Sequence, residues 1–164
     1  MEHNITIGQF YKVECFDKNG NLKWEDDFEN LVVTTGRNQY LDATLKTGVT
    51  SPTWYVGLKD TVPAIAADTI SSHAGWAELV PYSNATRPAF VLGTIAAGSV
   101  DNSASKAVFT INGTSTVGGA FLVNNSTKSG TTGILLGAGE FATARSVISG
   151  DTLNVTVTCS ITSA

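Results

Sequence analysis

The sequence predicts a mainly β protein, a single antiparallel β-sandwich or jelly-roll-like domain with one short helix. Two observations lead there. From Gly150 to Ser163 the chain alternates strictly, Leu153, Val155, Val157, Cys159 and Ile161 against Thr152, Asn154, Thr156, Thr158, Ser160 and Thr162. Side chains on a strand point alternately to opposite faces, so this stretch has one dry row and one hydroxyl-rich row. The second observation is composition: charged residues are 15% of the chain against a usual value near 25%, and Thr, Ser, Asn and Gly take their place.

Taken in order, residues 1–9 read as an arm ahead of a domain spanning 10–164. Within it Asn4, Ile5, Thr6 and Ile7 alternate as a strand added to a neighbour would. Phe10 to Phe16 and Leu22 to Phe28 are strand-like runs around Asp17-Lys18-Asn19-Gly20-Asn21, and Asn-Gly favours a tight turn. One helix is expected from Arg37 to Lys46, with Tyr40, Leu41, Thr44 and Leu45 on one face, Thr34 or Thr35 as its cap and Gly48 past its end.

Trp54 to Leu58 reads as a strand entering the core, Ala66 to His73 as a loop or short turn, and Trp76 to Val80 as a short strand. Further strands are expected at Ala89 to Ile95, Ala107 to Ile111, Gly119 to Val123, Ile134 to Leu136 and Asp151 to Ile161. Such spacing, with turn residues between, suits two packed antiparallel sheets. Asn84 to Phe90 and Asn102 to Phe109 look alike, each with an Asn, a hydroxyl, one cation and a Phe at a strand entrance, which fits successive strands of one sheet.

The chain of 164 residues is long enough for one core and short for two. A net charge of -4 without a run of Lys or Arg gives no footprint for a phosphate backbone, so nucleic acid is not an expected partner. The N-terminus lacks a basic segment followed by an apolar one, and no window approaches the roughly 20 apolar residues of a spanning helix. The expectation is a protein made in a cytoplasm, with no membrane partner and with Cys15 and Cys159 as free thiols.

No constellation for catalysis stands out. Ser71 or Ser72 with His73 and Asp68 could be imagined as a triad, but neighbours in one loop rarely meet its geometry, and His73 is better placed to hydrogen-bond locally or stack on Trp76. His3, His73, Cys15 and Cys159 lack zinc-ligand spacing, and Glu25-Asp26-Asp27 with Glu29 reads as a solvated hairpin edge rather than a cation site. Gly130-Thr131-Thr132-Gly133 and Gly137-Ala138-Gly139 have no P-loop lysine or following helix and read as turns. Asp68 with Glu78 or Glu140 would have to meet across the fold to act as a glycosidase pair. No catalytic residue, metal or cofactor is therefore expected.

Several segments together carry a resemblance: Leu31-Val32-Val33-Thr34-Thr35-Gly36-Arg37-Asn38, Trp54-Tyr55-Val56-Gly57-Leu58, Ser72-His73-Ala74-Gly75-Trp76, Tyr82 to Pro88, Ser99 to Ala104, Ala144-Arg145-Ser146-Val147 and Gly150-Asp151-Thr152-Leu153. Over roughly residues 10 to 162 they resemble a family of small structural proteins of tailed-bacteriophage virions. The resemblance implies a capsid decoration or cement protein, bound to the major capsid protein and to copies of itself on the outside of the head. It would be made in the cytoplasm of the host bacterium and act without catalysis. Removal of residues 1 to 9 is then expected to weaken attachment and leave the domain folded. The rival within the virion is a tail or fibre-associated protein that binds a host-surface glycan, with Trp54 or Trp76 stacked on sugar.

Overall fold

The structure is a computed structural model and describes residues 4–73 and 75–163. Two antiparallel sheets pack face to face. The first contains β1 (Ile5–Phe16), β2 (Leu22–Glu29), β7 (Ser99–Asp101), β8 (Ala107–Thr110) and β11 (Thr152–Ser163), in the order β2-β1-β11-β7, with β8 also on β11. The second contains β3 (Leu31–Val32), β4 (Trp54–Lys59), β5 (Glu78–Leu79), β6 (Ala89–Phe90), β9 (Ser115–Val123) and β10 (Leu135–Val147), in the order β3-β10-β9-β4-β5, with β6 also on β4. One helix, α1 (Thr34–Leu45), joins β3 to β4.

The alternating C-terminal run is β11, and it lies at the centre of its sheet. Leu153, Val155 and Val157 are fully buried, while Cys159 is half-buried and Ile161 exposed, so the dry row thins out as the strand leaves the sandwich. Opposite it Tyr11, Val13 and Cys15 of β1 are buried, and Val56, Leu58, Ala120, Leu122 and Leu136 meet them from the second sheet. Tyr11 stacks on Phe28 at 4.8 Å, and Phe141 closes that end edge-on to Phe28. The β1–β2 turn is held by Asp17, whose Oδ1 accepts from the amides of Asn19 and Asn21, with Gly20 at φ +82°.

The second sheet is buried on both faces. Its outer side carries a second apolar cluster of Val33, Ile70, Trp76, Phe121, Val123, Leu135 and Ala138, with the 60–77 segment as cover. A third layer set this close needs glycine. A Cβ on Gly57 would enter the Phe121 ring, and one on Gly118 would strike the backbone of Asp60. Gly137-Ala138-Gly139, expected as a turn, lies instead near the start of β10, where Asn30 takes the space on the side of the first sheet that a Cβ on either glycine would need. The strand expected at Ile134 to Leu136 runs on to Val147 for the same reason, because glycine there serves packing rather than chain reversal.

Other expectations are corrected. Ile5–Gln9 do not stand ahead of the domain as an arm; they open β1 and pair with β11, from Ile5↔Ser163 to Gln9↔Cys159. Deleting residues 1 to 9 would strip these pairs and remove Gln9, which is 1% exposed, so that deletion does not leave the domain intact. Met1 to His3 lie outside the described residues. The strand at Ala89 to Ile95 ends at Phe90, and the two similar Asn-to-Phe segments lead to different sheets, β6 on β4 and β8 on β11.

Their asparagines nevertheless do the same work. Asn84 spans Val108 O and Thr110 N on the edge of β8, and Asn102 spans Val155 O and Val157 N on β11. A side-chain amide has one donor and one acceptor side, so each can take the place of a short strand where the ladder is interrupted.

Candidate functional site: an apolar groove beside the helix

The helix is seated by its first turn. Gly36 rests on the backbone of Leu136, and Thr35 Oγ1 donates to Leu135 O at 2.8 Å. Neither threonine caps the helix; Val33 stands at that position without a side-chain bond. The expected apolar face is not buried either, since Leu41 is 56% and Leu45 76% exposed. α1 is held by a glycine contact, a hydroxyl and Tyr40 rather than by a hydrophobic stripe.

Tyr40 reaches down to the end of the first sheet. Its hydroxyl accepts from Gln9 Nε2 at 3.4 Å, and Gln9 Oε1 accepts from Asn30 Nδ2. Cys159 lies beside it. Burial pushes the Tyr40 phenol up to about 12 and the Cys159 thiol up to about 11, so both stay neutral at physiological pH.

Above these two groups a groove of about 290 Å³ separates α1 from the 91–98 segment. Tyr40, Ala43 and Thr44 form the helical wall; Phe90, Leu92, Ile95 and Val100 form the other; Trp54, Leu136 and Cys159 line its base. The far wall is a loop folded back by Ala97 and Gly98 at positive φ, closed by mutual bonds between Ala96 and Ser99 and tied to β11 by Ile161 N donating to Gly98 O at 2.8 Å. No charged side chain lines the groove. Leu92, Ile95 and Ile161 on its rim are 47%, 71% and 48% exposed. Monomers seldom leave large apolar patches open, which makes this groove the candidate site.

The residues considered for catalysis are dispersed or occupied. His73 stacks on Trp76 at 3.9 Å and bonds its carbonyl oxygen through Nδ1 at 2.8 Å. Asp68 instead accepts from Trp76 Nε1 and Ile65 N, and Ser71 pairs with Thr69, so the imagined triad does not assemble. Glu78 forms a two-bond pair with Arg87, whose side chain is fully buried and also donates to the carbonyls of Asn125 and Gly130. Glu140 pairs with the buried Lys59 at 2.7 Å, whose ammonium also donates to Val62 O and Asp60 O. Each carboxylate clamps a covering loop to the second sheet. Glu25 and Asp26 pair with Lys12 and Arg145, and among the described residues no group of His, Cys, Asp and Glu is arranged to hold a metal ion.

Trp54 and Trp76 are 7% and 3% exposed, so neither presents a free ring to a sugar. Among the described residues no helix is long and apolar enough to cross a membrane. No protein-family model matches the chain, and no curated protein matches it.

The groove was hidden from the sequence. Tyr40 and Cys159 belong to expected elements, but Leu92 and Ile95 fall in the expected strand Ala89 to Ile95, whereas the chain leaves the sheet after Phe90. The only cue is the Ala96-Ala97-Gly98 run, small residues that tolerate a tight reversal.

Proposed function

We propose that this chain is a non-enzymatic structural protein of a tailed-bacteriophage virion that binds the outer surface of the capsid and stabilises the head. Its partners are the major capsid protein and further copies of itself, and it takes no cofactor. The observation that carries a binding role is the uncharged groove beside α1 with its rim of exposed Leu92, Ile95 and Ile161. The phage head is named on the strength of the sequence resemblance.

The physics of the site supports such a role. An uncharged apolar groove gains from covering by a neutral, apolar part of a partner, and gives little hold on a nucleic acid or a charged metabolite. Shells built from many identical subunits turn a modest contact into a firm one, because each copy adds its grip at a high effective concentration. A two-sheet core clamped by the Arg87–Glu78 and Lys59–Glu140 pairs suits a part that must keep its shape.

Cosedimentation of the purified protein with mature, tail-less heads that lack it tests this reading. Saturable binding at a copy number matching the capsid lattice, with heads made harder to disrupt by heat, is the expected result. Absence of binding to heads, with binding to isolated tails or host envelopes, would refute it in favour of the glycan-binding alternative.

A further inference from the structure

We infer that the outer edge of β1 at Ile5–Gly8 docks on the same segment of a second copy, the two strands pairing antiparallel about a two-fold axis through Thr6. This gives the self-association in the proposed function a surface, and it stands or falls in solution without a head.

The backbone supplies the first argument. β1 is paired with β11 along its whole length, but with β2 only from Phe10 onward. Gln9 O accepts from Asn30 N at 3.0 Å, which turns the N–H and C=O of Gln9 away from β11. Polar groups alternate in direction along a strand, so those of Ile5 and Ile7 turn the same way. Ile161 confirms the phase: it lies opposite Ile7, and its N–H points to the far side of β11, to Gly98 O. Ile5 and Ile7 therefore offer two donors and two acceptors outward, and among the described residues no backbone group meets them. Such a row is a template for another strand.

Charge decides which strand. The neighbouring outer strand, β2, carries Lys23, Glu25, Asp26, Asp27 and Glu29, the usual protection of an edge against pairing. Asn4 to Gln9 carry no charge at all. A partner for that edge must itself have an open, uncharged edge of matching alternation, and this segment meets the requirement with itself. With the two-fold axis at Thr6, Ile5 faces Ile7 of the second copy in two bonded pairs, and Thr6 faces Thr6. Ile–Ile and Thr–Thr are favourable cross-strand neighbours. The side chains of Ile5 and Ile7 lie on the core-facing side of β1, in line with Tyr11, and Ile161 is beside Ile7. Ile5 is 71% exposed and Ile161 48%. Pairing joins the three isoleucines of each copy into one strip continuous with the rim of the groove.

The test uses the full chain without heads. Sedimentation over a concentration series is expected to show a monomer–dimer equilibrium, and hydrogen exchange to show the amides of Ile5 and Ile7 gaining protection as concentration rises. Thr6 is exposed, so Thr6→Lys and Thr6→Glu leave the fold intact while placing like charges across the axis. Each alone should raise the dimer dissociation constant at least tenfold, and an equimolar mixture should restore the dimer. A monomer at every concentration overturns the inference, as does a Thr6→Lys protein that dimerises like the parent. Protection of Ile5 and Ile7 seen only when heads are added also overturns it, and assigns the edge to a capsid strand. Because the sedimentation runs contain no heads, failure here leaves capsid attachment untouched, and failure to bind heads leaves the dimer untouched.

Discussion

Gly36 lies so close to Leu136 that a Cβ at position 36 would sit 1.9 Å from the Leu136 carbonyl oxygen. That oxygen belongs to the backbone of β10 and cannot swing aside. The helix exists where it does because this one residue has no side chain, and the groove exists because the helix is there.

Gly36→Ala should therefore push α1 off the second sheet. The expected loss is on the order of 1–3 kcal/mol, the range for forcing extra atoms into a packed interior, read as a lower urea midpoint. The same variant should bind heads more weakly than its stability explains, because the Tyr40 wall moves away from Ile95. A neutral result in both measurements would show that the seat is not needed.

Arg87 and Glu78 give a second prediction. Arg87 is wholly buried and among the described residues the carboxylate it pairs with is that of Glu78, so Arg87→Ala leaves a largely buried carboxylate and two carbonyls without their donor. A loss of about 3–5 kcal/mol is expected from chemical denaturation. Arg87→Met combined with Glu78→Leu should recover a substantial part of it, since removing both charges removes the uncompensated one.

Asn102 and Asn84 make a matched pair. Both bridge a strand through the amide group, yet Asn102 is fully buried and Asn84 is only part-covered at the surface. Asn102→Ala strands Val155 O and Val157 N away from water, at about 1–3 kcal/mol for each group. Asn84→Ala lets water take over and should cost under about 1 kcal/mol. Urea unfolding of the two variants side by side checks the contrast.

How much of this was legible follows from what each pattern reports. Alternation reports a strand with one wet face, and so β11 and the β1–β2 hairpin could be read directly, whereas β4, with neither face wet, was legible from its aromatic and β-branched residues. It fails where both faces are dry: Gly118 of β9 has the Asp60 backbone pressed against it, Gly137 and Gly139 of β10 have Asn30, and glycine in a sequence reads first as a turn. It also fails for α1, whose Leu41 and Leu45 face solvent while Gly36 makes the contact. His73 could be read because stacking on Trp76 is a local event. The groove could not, because Tyr40, Ile95 and Cys159 meet only after both sheets have closed.

The thiols give a pH prediction. Burial holds Cys15 and Cys159 each up to about 11, whereas an unfolded thiol titrates near 8.5. Between these values the unfolded state loses protons that the folded state keeps. The stability they contribute is thus complete below about pH 8.5 and is lost progressively as pH rises toward 11. Urea midpoints measured from pH 7.5 to 10.5 should fall more steeply for the parent than for a Cys15→Ala, Cys159→Ala double variant. Equal slopes would mean that other groups cause the alkaline loss.

Ile95 is the most direct test of the groove. Its side chain is 71% exposed on the 91–98 wall and carries little of the core, so Ile95→Asp should change stability by no more than about 0.5 kcal/mol. A carboxylate there would have to be buried without a partner when an apolar surface closes over the groove, and head binding should drop by at least tenfold, or about 1.4 kcal/mol. Val108→Asp, at a position 42% exposed on β8 of the first sheet, serves as the control, since it adds the same charge away from the groove. Equal loss from both variants would point to long-range repulsion by the capsid surface, whereas loss from Ile95→Asp alone locates the contact beside α1.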